Sequence, residues 1–104
     1  MERPDVWELI RITNDGANID KILSGWYGGY ANGDSWRFSS RISKMEERPG
    51  YFYVVTESGT EYELNKSVRR FSGMTAGIYE HFAKKIEEQN KLDTSKVITI
   101  EILK

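Results

Sequence analysis

The chain has 104 residues, no cysteine, and 15 lysine and arginine residues against 16 acidic ones, which gives a net charge of −1. The absence of cysteine excludes disulfides, thiolate nucleophiles and cysteine-bound metals, and the balanced charge excludes an overall positive field that would attract polyanions. A chain of this length predicts one domain, residues 1–104, with a core large enough to fold without cross-links.

The cellular location is predicted from features that the sequence lacks. Residues 1–5 contain no apolar stretch of the kind found in signal peptides, and every apolar run is too short for a membrane span. A chain without cysteine also suits a reducing compartment. We therefore expect a cytoplasmic protein that has no membrane partner.

The first third of the chain has the pattern of two strands with turns between and after them. Residues 6–13 are apolar on both faces, which predicts a well-covered strand, and the Asn-Asp-Gly of residues 14–16 predicts a tight turn. Residues 22–31 combine aromatic side chains with three glycines, which predicts a curved second strand. Asn32, Gly33 and Asp34 predict the next hairpin turn.

Residues 35–42 alternate in a way that predicts a strand with one buried and one exposed face. Apolar residues share one face and polar residues share the other: Trp36, Phe38 and Ile42 against Arg37, Ser39 and Arg41. We therefore expect Trp36 to lie in the core and the two arginines to be displayed in a row at ~7 Å intervals with Ser39.

Residues 51–64 predict a second hairpin. Residues 51–56 are apolar on both sides, as in a central strand, while in residues 60–64 Tyr62 and Leu64 alternate with glutamates. Ser58 and Gly59 lie between them and predict a two-residue loop with Gly59 at positive φ.

One helix and one further strand complete the pattern. Between residues 75 and 90, Ile78, Phe82 and Ile86 recur at every fourth position, which predicts an amphipathic helix with Thr75 as its N-cap. Residues 96–103 then alternate between isoleucines and polar residues, which predicts a half-buried strand beside the first one.

This order of elements predicts an α+β fold. Strands joined by short turns form an antiparallel sheet, and glycines within them favour strong curvature. The expected architecture is a curled antiparallel sheet, or a partly open small β-barrel, of about six strands with one amphipathic helix before the last strand.

The sequence contains no motif for a catalytic, metal or cofactor site. His81 is the one histidine, and no second ligand at metal-binding spacing accompanies it, so we interpret it as a solvent-facing helix residue. We accordingly predict that the protein is not an enzyme and uses no cofactor.

Aromatic and basic residues are the candidates for a binding site. Those that we assign to it are Trp26, Tyr30, Arg37, Arg41, Arg69 and Arg70. Rings beside arginines can hold single-stranded nucleic acid by stacking and phosphate contacts, and the same residue types dominate protein–protein hot spots. The alternative is that the rings fill the core and leave only the arginines exposed.

Two functions are compatible with these residues, and a third interpretation is a structural subunit that completes a larger assembly through its sheet edge. The first is a small protein-interaction module of the accessory, immunity or inhibitor type found in bacteria and phages. The alternative is a nucleic-acid-binding small β-barrel that uses an aromatic and arginine sheet face, against which the net negative charge weighs. A protein partner is thus expected, and neither its identity nor the oligomeric state is predicted.

Overall fold

The computed structural model describes residues 1–28 and 33–104. In these residues seven strands form two antiparallel sheets, and one α-helix precedes the last strand. The elements are β1 (Val6–Asn14), β2 (Ala17–Trp26), β3 (Ser35–Phe38), β4 (Ile42–Arg48), β5 (Tyr51–Thr56), β6 (Glu61–Asn65), a 3₁₀ turn (Lys66–Val68), α1 (Gly73–Leu92) and β7 (Ile98–Ile102). The predicted α+β class is confirmed, as is the helix before the last strand.

The two sheets have the strand orders β3-β2-β1-β7 and β4-β5-β6. As predicted, the last strand lies antiparallel beside the first, with Ile100 opposite Ile12. The expected curled sheet or partly open barrel of about six strands is instead a pair of open sheets. The additional strand is β4, which lies mostly in residues 43–48, where no strand was predicted. The predicted strand over residues 35–42 ends at Phe38, and only its last residue, Ile42, belongs to β4.

Ser39 is the residue at which that predicted strand divides. Its hydroxyl accepts a hydrogen bond from the Ile22 amide at 2.8 Å, and its own amide donates to the Ile22 carbonyl at 2.9 Å. Ser39 thereby completes the edge of β2 where β3 has already ended, and the chain turns away to begin β4. Alternation in the sequence gives no sign of this, because a capping serine occupies the same position as a strand serine.

The main core lies between the two sheets. Its buried cluster consists of Trp7, Leu9, Ile22, Val54, Tyr62 and Leu64. The Trp7 indole N–H donates to the Asn65 carbonyl at 2.7 Å, so the ring is both buried and satisfied. Because strand side chains alternate, the other face of β1, with Val6 and Ile10, is directed towards α1.

Two of the three predicted turns are present, one of them with a different length. Asp15 and Gly16 form a two-residue loop with φ values of 54° and 81°, as expected for a primed turn. Gly59 has the predicted positive φ, 88°. The loop around it has three residues, because the Gly59 amide donates to Thr56 and the Thr56 amide donates to Thr60. The predicted turn at residues 32–34 lies partly outside the described residues.

The helix α1 begins with a capping box. The Thr75 amide donates to the Ser72 hydroxyl at 3.1 Å, and the Ser72 amide donates to the Thr75 hydroxyl at 2.8 Å. The N-cap is therefore Ser72, and its assignment to Thr75 was wrong by three residues because Thr75 is the reciprocal partner. Within the residues described, no helix is both long enough and apolar enough to cross a membrane.

The N-terminal end of α1 lies very close to β2. A methyl group at position 25 would be 2.9 Å from the Thr75 methyl carbon and 3.0 Å from a Val6 methyl carbon. Only glycine allows the helix and the sheet to meet at this separation. Further along α1, the larger Phe82 ring lies 5.1 Å from the Phe38 ring, measured between centroids.

We predict that Gly25→Ala lowers the free energy of unfolding by about 1–3 kcal/mol, since the added methyl group overpacks this contact. The matched control is Gly77→Ala on α1, where a methyl group would meet no atom within 4 Å. It should raise stability by roughly 0.5–1 kcal/mol through helix propensity. Urea unfolding of both variants provides the measurement, and a Gly25→Ala protein as stable as the parent would contradict the close approach.

Candidate functional site

A groove of about 550 Å³ runs between α1 and the first sheet. We call it the α1 groove. Its apolar lining comprises Ile12, Ile19, Phe38, Phe82, Ile86 and Ile98, with Trp36, Lys21 and Asn14 completing the walls. A concave, mostly apolar space of this size with a few polar groups is the usual form of a binding site.

The groove exists because α1 is fixed to the sheet at two separated points. Thr75 lies against Gly25 near the start of the helix. Near its end, the Asn90 side-chain amide donates to the Ile98 carbonyl at 2.8 Å and accepts from the Ile98 amide at 2.9 Å. Between these points the sheet is incompletely covered, since β3 pairs with β2 only from Leu23 to Trp26.

Trp36 forms an open wall of the groove. Its ring meets the Phe82 ring edge to face at 6.3 Å, yet 42% of the residue is exposed. The prediction that Trp36 is buried was therefore wrong, although the predicted shared face with Phe38 is correct, since both rings contact Phe82. It remains half open because, in the part of the chain that the structure describes, β3 is an edge strand of only four residues.

Lys21 supplies a positive charge within the groove. Its ammonium nitrogen lies 4.4 Å from the centre of the Phe38 ring, a distance at which a cation is attracted to the ring face. The hydrocarbon part of the side chain can thus lie on apolar surface while the charge stays accessible. Lys21 is not among the residues predicted to bind, because alternation alone does not reveal that it stands beside an uncovered apolar surface.

A polar cleft of about 200 Å³ continues the groove at its far end, since both spaces are lined by Asn14 and Ile98. Lys96 and Asp93 also line the cleft. Asp93 accepts hydrogen bonds from the Ser95 amide and hydroxyl, and these bonds hold the pKa of its carboxyl group below the usual value. The Asp93 carboxylate is therefore already engaged by hydrogen bonds from Ser95, whereas the Lys96 side chain remains exposed.

Trp26 and Arg37, two of the predicted binding residues, lie together at the opposite end of β2 from the cleft. The Arg37 guanidinium is 5.7 Å from the centre of the Trp26 ring and 3.5 Å from the Glu2 carboxylate. Interaction with the Tyr62 hydroxyl, and then with Glu2, raises the pKa of Arg37. This arginine is thus held by groups of its own chain.

Arg41 does not continue a row from Arg37. Arg37 lies opposite Ser24 on β2, whereas the Arg41 guanidinium donates to the Asn18 carbonyl at 3.2 Å. Six residues of strand separate these points, roughly 20 Å. The predicted row, with two intervals of ~7 Å between Arg37 and Arg41, was therefore wrong, because the strand ends before Arg41 and because Ser39, expected on the surface, is only 4% exposed.

Arg69 connects three parts of the fold. Its guanidinium lies 2.7 Å from the Glu8 carboxylate and 5.3 Å from the centre of the Trp7 ring, and it also donates to the Leu103 carbonyl. This geometry provides a structural role, since it ties the segment after β6 to β1 and to the end of β7.

The neighbouring residue Arg70 is exposed, so its binding role stays a prediction. Tyr30 lies outside the described residues.

His81 lies on the exposed side of α1, as expected. In residues 1–28 and 33–104, no group of three or more histidine, cysteine or acidic side chains is arranged to hold a metal ion. The expectations that the protein is not an enzyme and uses no cofactor stay predictions.

We predict that Arg69→Ala lowers the free energy of unfolding by roughly 1.5–3 kcal/mol, because Glu8 loses a charged hydrogen-bond partner in a half-buried setting. Arg70→Ala is the matched control and should change it by less than about 0.5 kcal/mol. Thermal or urea unfolding measures both. Equal, small effects at the two positions would show that the Arg69 contacts do not stabilise the fold.

Comparison with known proteins gives no relative from which to transfer a function: no family model, no curated protein and no solved structure matches the chain. A function therefore has to be argued from the site itself. Among the features described, the α1 groove combines apolar surface, an exposed aromatic ring and an accessible charge.

Proposed function

We propose that this chain is a non-enzymatic protein-binding module that accepts an amphipathic segment of a partner in the α1 groove. The observation that carries the proposal is Trp36, a half-exposed indole standing over a continuous apolar surface. Tryptophan is strongly enriched among the residues that contribute most to protein–protein affinity. A groove beside a helix is also a recurring way of holding the apolar face of a partner helix.

The charges around the groove indicate an acidic partner segment. Lys21 lies within it, and Lys96 lines the cleft at its end. Lys85 is exposed on the helix three residues after Phe82, which by helical spacing sets it towards the same flank. A partner carboxylate near Lys21 would complement this rim and favour one orientation of the bound segment.

The nucleic-acid alternative has less support. Arg37 and Arg69 are paired with Glu2 and Glu8, and Lys66 lies 2.8 Å from the Glu47 carboxylate. Holding a phosphate backbone along the predicted arginine face needs unpaired positive charge, which these three pairings remove. The geometry thus favours a protein partner, within the accessory, immunity or inhibitor type of role that the sequence suggested.

We predict that Trp36→Glu reduces capture of the native partner by the full-length chain at least about 30-fold, as expected when a hot-spot residue worth about 2 kcal/mol is lost. The control is Tyr27→Glu, another exposed aromatic residue, 53% accessible and outside the groove lining. Binding is measured by quantitative pull-down from cells of the source organism, after melting curves show that both variants are folded.

A second variant, Lys21→Glu, tests the charge of the partner. It should weaken the same interaction while leaving the apolar walls in place, and the weakening should grow at low ionic strength. Partner capture that survives both Trp36→Glu and Lys21→Glu in folded protein would place the binding surface elsewhere. Equal loss in Tyr27→Glu would show that the groove is not specific.

A further inference from the structure

The outer edge of β7 presents backbone groups that no described strand contacts. β7 is the last strand of its sheet and pairs with β1 alone. The Leu103 amide donates inward to Leu9, whereas the Ile98 amide and carbonyl are directed away from β1, to Asn90. Because strand groups alternate in direction, the amides and carbonyls of Ile100 and Ile102 also point outward.

Asn90 protects only the first position of this edge. Its side-chain amide satisfies both backbone groups of Ile98, as a neighbouring strand would. The edge of β2 beyond β3 is protected in a similar way, because Ser39 hydrogen-bonds the backbone amide and carbonyl of Ile22 and the Arg41 guanidinium donates to the Asn18 carbonyl. Among the described residues, no such contact covers Ile100 and Ile102, and a free edge of this kind is a template for pairing with another strand.

The side chains of β7 match this backbone. Its sequence, Ile-Thr-Ile-Glu-Ile, has high strand propensity, and the residues that protect natural edges, proline and inward lysine, are absent from it. Val97 is 67% exposed, and Ile102 at the other end remains 39% exposed. The edge is therefore mostly apolar, with Glu101 as the one charged residue of β7.

We propose that this edge pairs antiparallel with β7 of a second copy of this chain, so that two four-stranded sheets become one continuous sheet. An antiparallel pair about a two-fold axis uses the same surface twice, which suits an edge whose outward groups repeat at every second residue. The surface is separate from the α1 groove, and pairing does not depend on the function proposed for that groove.

Charge and capping select one register. Placing Ile100 against Ile102 of the second copy would set Glu101 directly opposite Glu101 of that copy, and like charges so placed are destabilising. Centring the pair on Ile100 would break the Asn90–Ile98 bonds. Centring it on Ile102 avoids both effects.

In the register centred on Ile102, Ile100 faces Lys104 of the second copy. No like charges face each other in this register, and the outward amide and carbonyl of Ile102 bond the same two groups of the second copy. This self-complementary pattern favours a second copy over an unrelated apolar strand as the occupant.

Proline substitution distinguishes the edge from the ladder with β1. In Ile102→Pro, the lost N–H faces outward, where proline is tolerated on edge strands, so the fold should persist. The dimer should dissociate about tenfold more readily, since two hydrogen bonds are lost per pair. In the control, Glu101→Pro, the lost N–H faces β1, so the protein should be clearly destabilised.

Sedimentation equilibrium of the full-length chain over a wide concentration range measures the dimer constant. Hydrogen exchange locates the interface: the amides of Ile100 and Ile102 should gain protection as concentration rises, while the Glu101 amide should be protected throughout. Trp36→Glu should leave the dimer constant unchanged, which separates this surface from the α1 groove.

Ile102→Lys keeps the backbone donor and tests the same edge should the proline variant fail to fold. A lysine in the middle of a strand edge opposes pairing, so it should also weaken the dimer. The proposal is overturned by a protein that stays monomeric at all concentrations, by unchanged dimerisation in either folded Ile102 variant, or by free exchange of the Ile100 and Ile102 amides in the dimer.

Discussion

The contact between Gly25 and Thr75 is the constraint on which the α1 groove depends. It brings the start of α1 against β2 at a distance that a side chain at position 25 would prevent. Asn90 holds the other end of the helix at Ile98. With both ends fixed and β3 only four residues long, the large rings of Phe82, Phe38 and Trp36 cannot close the space between helix and sheet.

Backbone groups at sheet edges are a second recurring theme of this fold. Side chains complete the ladder where strands end: Ser39 at Ile22, Arg41 at Asn18 and Asn90 at Ile98. Each removes one or two unpaired groups from an edge that would otherwise attract another strand. This protection stops at Ile100, where the outer edge of β7 is the surface that we propose for association. The α1 groove lies where the helix leaves the sheet uncovered.

Residue type and periodicity made much of the fold predictable from the sequence. The α1 groove was not predictable in this way, because it depends on contacts between elements that are distant in sequence. The Asp15-Gly16 turn, the positive φ at Gly59 and the pairing of the last strand with the first follow from residue type and period. The division of the third predicted strand could not be foreseen, because Ser39 acts through a contact with Ile22 that no local pattern encodes. Lys21 was missed for the same reason.

The most direct test of the central claim, an open apolar groove in the folded protein, is a nuclear Overhauser measurement between labelled protein and unlabelled 1-anilinonaphthalene-8-sulfonate. This apolar anion matches the chemistry of the groove, with rings for the walls and a sulfonate for Lys21. We expect contacts to the Ile19 and Ile86 methyl groups and to the Trp36 ring, and Lys21→Glu should weaken them. Absence of binding to the native protein, or contacts confined to Val97 and Ile102, would contradict this expectation.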